Sequence, residues 1–316
     1  MGRPMRATDE SSDETSNRFG WLAMHRTPIR AAGFIVAIIA IVTAATTADW
    51  SWLAAFVDSM HSSSVTYITP VGQRQEFKLE DGSRITLNTD SRVNVHFDGR
   101  HRDVAILSGE VSFDVVHDSV RPFRACANGH LLTDLGTQFN VLLASVGTTV
   151  TVRHGDVQLT GSCSLDKDGN IKTPDKNAHS HEGVSAPEPP VLSGGDQIRL
   201  PEDGPGSPLQ LRRLTRSQID TTFAWQDGLL IFENTPLPQA LEQINRYFPQ
   251  RLEIVDPAIA QMKITGTYVD SRLGPILQGL QASHGIVVLP PDIDDPDPTV
   301  IRLGSAGIGQ EPAHPH

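Results

Sequence analysis

Few residues in this chain have the type and spacing to do chemistry on a second molecule. His179 and His181 stand two apart and could both reach one metal ion, but no third ligand follows at a fixed interval, and PDKNAHSHEG around them is polar and turn-forming. The acidic run DIDDPDP at 292–298 could attract calcium, yet its prolines and the lack of a binding-loop spacing read as a solvated turn. No metal and no cofactor is expected. Asp81-Gly82-Ser83-Arg84 has the look of a ligand loop, although an Asp-Gly hairpin turn accounts for it fully. Cys126 and Cys163 flank strand-like segments and could form one disulfide or remain two buried thiols. There is no G-x-S-x-G, no H-E-x-x-H and no phosphate-cradling glycine loop, so catalysis on an external substrate is not expected.

The elements around these residues explain why. Residues 31–48, AAGFIVAIIAIVTAATTA, carry no charge and are long enough for a slightly short helical span, with Trp50 and Trp52 at the far interface. We take 31–55 as a single transmembrane helix. Arg18, Arg26 and Arg30 precede it and Asp49 and Asp58 follow, which places residues 1–30 in the cytoplasm as a tail and the bulk of the chain outside, in a bacterium the periplasm. The expected location is therefore the inner membrane. A cleaved signal peptide is the rival reading, since Thr46-Thr47-Ala48 offers small residues for cleavage, but the leader carries Asp9, Glu10, Asp13 and Glu14. A net charge of −11 argues against nucleic acid as a partner, because neutralising phosphates needs a basic surface.

Roughly 260 residues follow the span, enough for two domains with real cores. From 60 to 163 apolar and polar residues alternate, as in Val93, Val95, Phe97 and Val111, Phe113, Val115, with turn signals between the runs. This is an all-β domain. Residues 164–190 read as a flexible insertion, 191–200 as a returning strand pair, and 201–222 as a linker. From 223 to 305 strands alternate with helices in the order β-α-β-β-α-β-β, a small α+β domain in which Asn234 or Thr235 caps the first helix. Residues 306–316 read as a disordered tail.

Several segments together resemble the FecR family of transmembrane regulators. They are Gly72-Gln73, the L-x-DGS-x-I-x-LN segment from Leu79 to Asn88, GE-x-x-F-x-V from Gly109 to Val115, RPF from Arg121 to Phe123 and LGT-x-F-x-V from Leu135 to Val141. WQDGLLIF from Trp225, NRYF at Asn245 to Phe248 and G-x-Y at Gly266 to Tyr268 continue the likeness. The resemblance implies a solenoid-like β part followed by a part similar to the short N-terminal domain of secretins and TonB-dependent receptors. It further implies that the C-terminal part contacts the signalling domain of an outer-membrane TonB-dependent receptor, and that the signal reaches an extracytoplasmic-function sigma factor at the cytoplasmic end. Full-type members carry a folded cytoplasmic domain before the span, whereas only about 30 residues stand there in this chain. Either the start lies upstream, or a remnant tail binds a partner, or sigma control is lost; in the last case the chain is an anchored periplasmic binding or scaffold module.

Some members of that family cut themselves at a Gly-Thr bond, which matches Gly136-Thr137. The Thr137 hydroxyl would attack the Gly136 carbonyl, with Asp134 and His130 as helpers by nearness in sequence. A turn glycine before a strand is the simpler reading of the same pair. For partner contact the expected residues are Trp225, Phe232, Tyr247, Phe248 and Tyr268, around a strand edge that could recruit another chain by main-chain pairing. The same aromatics would equally serve as core.

Overall fold

Alternation along the strands throws every second side chain inward, and the register lines these side chains up across neighbouring strands. The computed structural model describes residues 63–134, 136–144, 147–173, 189–201, 209–290 and 297–305. The expected transmembrane helix at 31–55, the tails at 1–30 and 306–316, and His179 and His181 lie outside the described residues. Among the described residues no helix is long and apolar enough to cross a membrane.

The first lobe opens with β1 (Ser63–Thr69), β2 (Gln75–Lys78), β3 (Arg84–Leu87), β4 (Ser91–Phe97) and β5 (Arg102–Ser108). It continues through β6 (Glu110–Asp114), β7 (Phe123–Ala127), β8 (His130–Asp134), β9 (Gln138–Ala144), β10 (Gly147–His154) and β11 (Asp156–Ser162). After a small hairpin of β12 (Ser164–Leu165) and β13 (Ile171–Lys172) come β14 (Val191–Ser193), β15 (Asp196–Leu200) and β16 (Gln210–Arg213). These form two seven-stranded sheets, in the orders β1-β4-β5-β7-β8-β11-β14 and β16-β15-β10-β9-β6-β3-β2. Every pairing in the two sheets is antiparallel except β5 with β7. The lobe is thus a sandwich rather than the stacked parallel coils of a solenoid.

One apolar row shows how sequence becomes core. Leu87, Val111, Val141, Val150 and Ile198 are cross-strand partners on five adjacent strands, and all are essentially inaccessible. Beside it Ile85, Phe113, Phe139 and Val152 form a second row, with the Phe113 and Phe139 rings stacked at 4.7 Å. Phe123 of the facing sheet meets Phe113 edge-on at 5.7 Å, which joins the two sheets into one core.

Burial of that row also explains the Asp-Gly turn. Arg102 is fully buried; its Nη1 donates to Asp81 Oδ2 at 2.7 Å and to the Val116 carbonyl at 2.9 Å, and its Nε donates to the Arg121 carbonyl at 2.8 Å. Asp81 also accepts from the Ser83 amide and hydroxyl. The turn is therefore the carboxylate seat for a buried guanidinium, not only a reversal of chain.

Two expectations need correction here, and one open alternative is decided. Val191–Ser193 and Asp196–Leu200 do not pair with each other: β14 joins β11 in one sheet and β15 joins β10 in the other, so the stretch stitches the sandwich shut. The linker at 201–222 holds structure where it is described, since β16 extends the second sheet and α1 (Arg216–Phe223) follows with Thr215 and Gln218 forming a capping box. Cys126 and Cys163 are joined by a disulfide that ties β7 to the residue after β11.

The second lobe begins after a 3-10 turn at Ala224–Asp227 and holds β17 (Leu229–Pro236), α2 (Leu237–Asn245), β18 (Arg251–Ile254), the short α3 (Pro257–Ala260) and β19 (Lys263–Val269). It closes with α4 (Leu273–His284), β20 (Ile286–Val288) and β21 (Val300–Ser305). Leu237, Ala240, Leu241 and Ile244 recur at helical spacing, and all four are buried on one face of α2. Neither Asn234 nor Thr235 caps α2, because both belong to β17 and Pro236 takes the cap position without a side-chain bond. The strands make two small sheets, β17-β19 and β18-β21-β20, where one was expected.

Arg102→Ala leaves the Asp81 carboxylate buried and uncompensated. We expect a loss of about 3–5 kcal/mol in urea unfolding, while Asp81→Asn with Arg102→Met loses clearly less. Equal losses in the single and double variants would mean that the ion pair is not what the turn supplies.

Candidate functional site

Gly109 sits at φ +85°, and a Cβ there would come within 2.1 Å of Ser91 Oγ and 2.6 Å of Ser91 Cα. Only glycine fits. That close approach sets Glu110 at the start of β6, where Ser91 Oγ accepts from the Glu110 amide at 2.9 Å. The carboxylate is buried and takes three donors: Asn88 Nδ2 at 2.8 Å, Asn140 Nδ2 at 2.9 Å and Arg246 Nη1 at 2.8 Å. Asn88 ends the L-x-DGS-x-I-x-LN segment, Asn140 lies in LGT-x-F-x-V, and Arg246 belongs to NRYF of the second lobe. Segments far apart in the chain meet at one carboxylate.

Neighbouring groups complete this joint between the lobes. Asn88 Nδ2 also donates to the Tyr247 hydroxyl at 2.7 Å, and Thr89 Oγ1 donates to the Arg246 carbonyl at 2.8 Å. The Gly72 amide in turn donates to Thr89 Oγ1 at 2.8 Å, and its would-be Cβ lies 3.0 Å from the Tyr247 carbonyl. A second crossing pairs Arg74 with Asp270 at 2.6 Å. Burial works against the Arg246 charge, but the Glu110 carboxylate more than offsets this and holds the guanidinium pKa above its usual value. Burial, and then the nearby Glu110 charge, push the Tyr247 phenol well above the ordinary tyrosine range.

The five aromatics expected to meet a partner are used otherwise. Phe232, Tyr247 and Tyr268 are buried in the second core, Phe248 packs half-buried against it, and Trp225 is buried in the 3-10 turn that leads into the lobe. Their apolar area is spent inside a small lobe, so their side chains present no free docking face.

At the Gly-Thr pair, Gly136 has φ +153° and its amide donates to Asp134 Oδ1 at 3.0 Å. Thr137 is buried, its carbonyl accepts from the Val115 amide at 2.9 Å, and its Oγ1 has no hydrogen-bond partner. A Cβ on Gly136 would meet His117 Cβ at 2.8 Å and lie 3.1 Å from His117 Nδ1. His130, by contrast, points its Nε2 at the Pro201 carbonyl, 3.3 Å away. The histidine beside Gly136 is His117, which nearness in sequence did not suggest and only the pairing of Val115 with Thr137 could have.

A β-sandwich bound to a small α+β lobe through a buried carboxylate is the class of protein defined here. The FecR protein family matches residues 65–158, and the FecR C-terminal family matches residues 229–288. The chain is a member of the FecR family. Two crystal structures of a candidate anti-sigma factor from Parabacteroides distasonis share its fold, each at 20% identity and a TM-score of 0.55. The likeness covers 77% and 78% of this chain and all of the other. No curated protein sequence matches.

Glu110→Gln removes the charge that Arg246 faces across the joint. We expect about 2 kcal/mol lower stability and faster limited proteolysis between the lobes, at 214–228, with the sandwich core still protected in hydrogen exchange. Unchanged cleavage there would show that the carboxylate does not hold the lobes. The raised phenol pKa of Tyr247 has a definite sign: its contribution is fully present below the unfolded value of 10.0 and is lost as pH rises toward the folded value. Between pH 9 and 11 the wild type should therefore lose stability more steeply than Tyr247→Phe, and parallel curves would refute the assignment.

Proposed function

We propose that this chain is a membrane-anchored regulator that receives a signal from the signalling domain of an outer-membrane TonB-dependent receptor and passes it to an extracytoplasmic-function sigma factor. One observation carries the reading: both parts of the FecR family occur in order in one chain, and their characteristic segments converge on Glu110. The fold shared with a candidate anti-sigma factor and the uncharged stretch at 31–48 support it. In this view the second lobe is the receiving element, with main-chain pairing at the β17-β19 edges as the mode of contact.

Self-cleavage at Gly136-Thr137 belongs to the same reading. Thr137 Oγ1 attacks the Gly136 carbonyl carbon, the C–N bond breaks, and the hydroxyl proton ends on the freed Thr137 amine; water then hydrolyses the ester to a Gly136 carboxylate and a Thr137 hydroxyl. A hydroxyl held in the interior without a partner is not committed to a structural bond, and His117 is the nearby group able to carry the proton.

Full-length protein from its host, run on a reducing denaturing gel with intact masses, should give pieces ending at Gly136 and beginning at Thr137, and Thr137→Ala should give one uncut species. His117→Ala should slow the cut at least tenfold without changing the melting temperature. One full-length species in the wild type ends the self-cleavage part. Capture of the full chain by an isolated receptor signalling domain, together with copurification of a sigma factor, tests the relay; failure of both would leave an anchored binding module.

A further inference from the structure

At one end of the sandwich the two sheets finish in β1 and β2, and each of these strands has a hydrogen-bonded neighbour on one side only. β1 runs for seven residues against β4 without a register shift and carries no charged residue, while Val65 and Ile68 on it are 44% and 52% exposed. Natural edge strands are kept from pairing with other chains by charge, internal proline, bulges or shortness, and β1 has none of these. The opposite end of the sandwich is guarded. There β14 is three residues long, and β16 ends in Arg212 and Arg213.

The side chains on the two open edges define what they would accept. Val65 and Tyr67 stand on the core side, opposite Val95 and Val93 of β4, and Ser64, Thr66 and Ile68 stand on the outer side. An antiparallel second copy of β1 centred on Thr66 sets Thr66 against itself, Val65 against Tyr67 and Ser64 against Ile68. Threonine with threonine and aromatic with β-branched are favourable cross-strand pairs. On β2 the exposed Glu76 and Lys78 flank Phe77, so a second copy centred on Phe77 sets Glu76 against Lys78 twice over. In its own sheet Lys78 stands opposite Arg84, a like charge, and a carboxylate on its free side is what that position lacks. The Tyr67 and Phe77 rings lie 4.6 Å apart, which places the centres of the two edges over one another, so a single two-fold axis can serve both. Both rings are half-buried, and continuing the sheets would cover them.

We propose that the β1-β2 end of the sandwich is a docking surface for a second copy of this chain, β1 pairing antiparallel with β1 and β2 with β2 about one two-fold axis. The two sandwiches then share a continuous pair of sheets, and their open apolar ends close each other. The proposal rests on neither the relay nor the self-cleavage.

The test is the oligomeric state of the full chain in detergent micelles, followed by light scattering over a concentration series. A dimer is expected, with a dissociation constant raised about tenfold in Glu76→Lys and in Lys78→Glu, each of which sets like charges opposite one another. The double exchange, Glu76→Lys with Lys78→Glu, should return the constant toward the wild-type value. Because both positions are exposed, the melting temperature should not move. Thr66→Cys supplies the only free thiol, since Cys126 and Cys163 are bonded to each other, and a short bifunctional thiol reagent should join two copies through it. Leu211→Cys, exposed on β16, should stay unjoined. A monomer at every concentration, a dimer joined as readily through residue 211 as through residue 66, or a double exchange as weak as the single variants would overturn the proposal.

Discussion

A carboxylate taken out of water must be given back what water supplied, and Glu110 receives it from a strand and a strand end of one lobe and a helix end of the other. That requirement fixes much around it. Asn88 must stand just past the end of β3 and Asn140 on β9, the strands flanking β6, Gly109 must lack a side chain so that β6 can start against Ser91, and α2 must end where Arg246 can turn back toward the sandwich. Apolar rows give the sandwich its stability, but they would pack as well without the second lobe. The polar joint makes the position of that lobe specific.

The sequence disclosed whatever depends on periodicity. Two-residue alternation marked the strands of the sandwich, and Leu237, Leu241 and Ile244 marked the buried face of α2. What it concealed depends on distance along the chain. Arg102 and Asp81 are 21 residues apart, Glu110 and Arg246 are 136 apart, and no spacing rule ties such partners together. The resemblance segments were legible as turns and strand ends, yet their common purpose, meeting at one carboxylate, appears only when the chain is folded.

Composition misled in two places for the same reason. Residues 201–222 look like a linker because they are polar, but polarity there reflects an edge strand whose four residues are all exposed and a short helix with one buried residue. The aromatics of the second lobe suggested a binding face because large apolar groups serve both interfaces and cores; in a lobe this small the core takes them first.

The disulfide has a consequence for force. Cys126 lies before Gly136-Thr137 and Cys163 after it, so a chain opened at that bond is two polypeptides but one covalent body. A pull on the second lobe is then carried across the opened backbone by sulfur, and across the sheets by β9 held between β6 and β10 and β8 held between β7 and β11. Load travels toward the strands before the bond for as long as the cystine stays oxidised, and reduction turns a tensile link into one that only strand pairing resists.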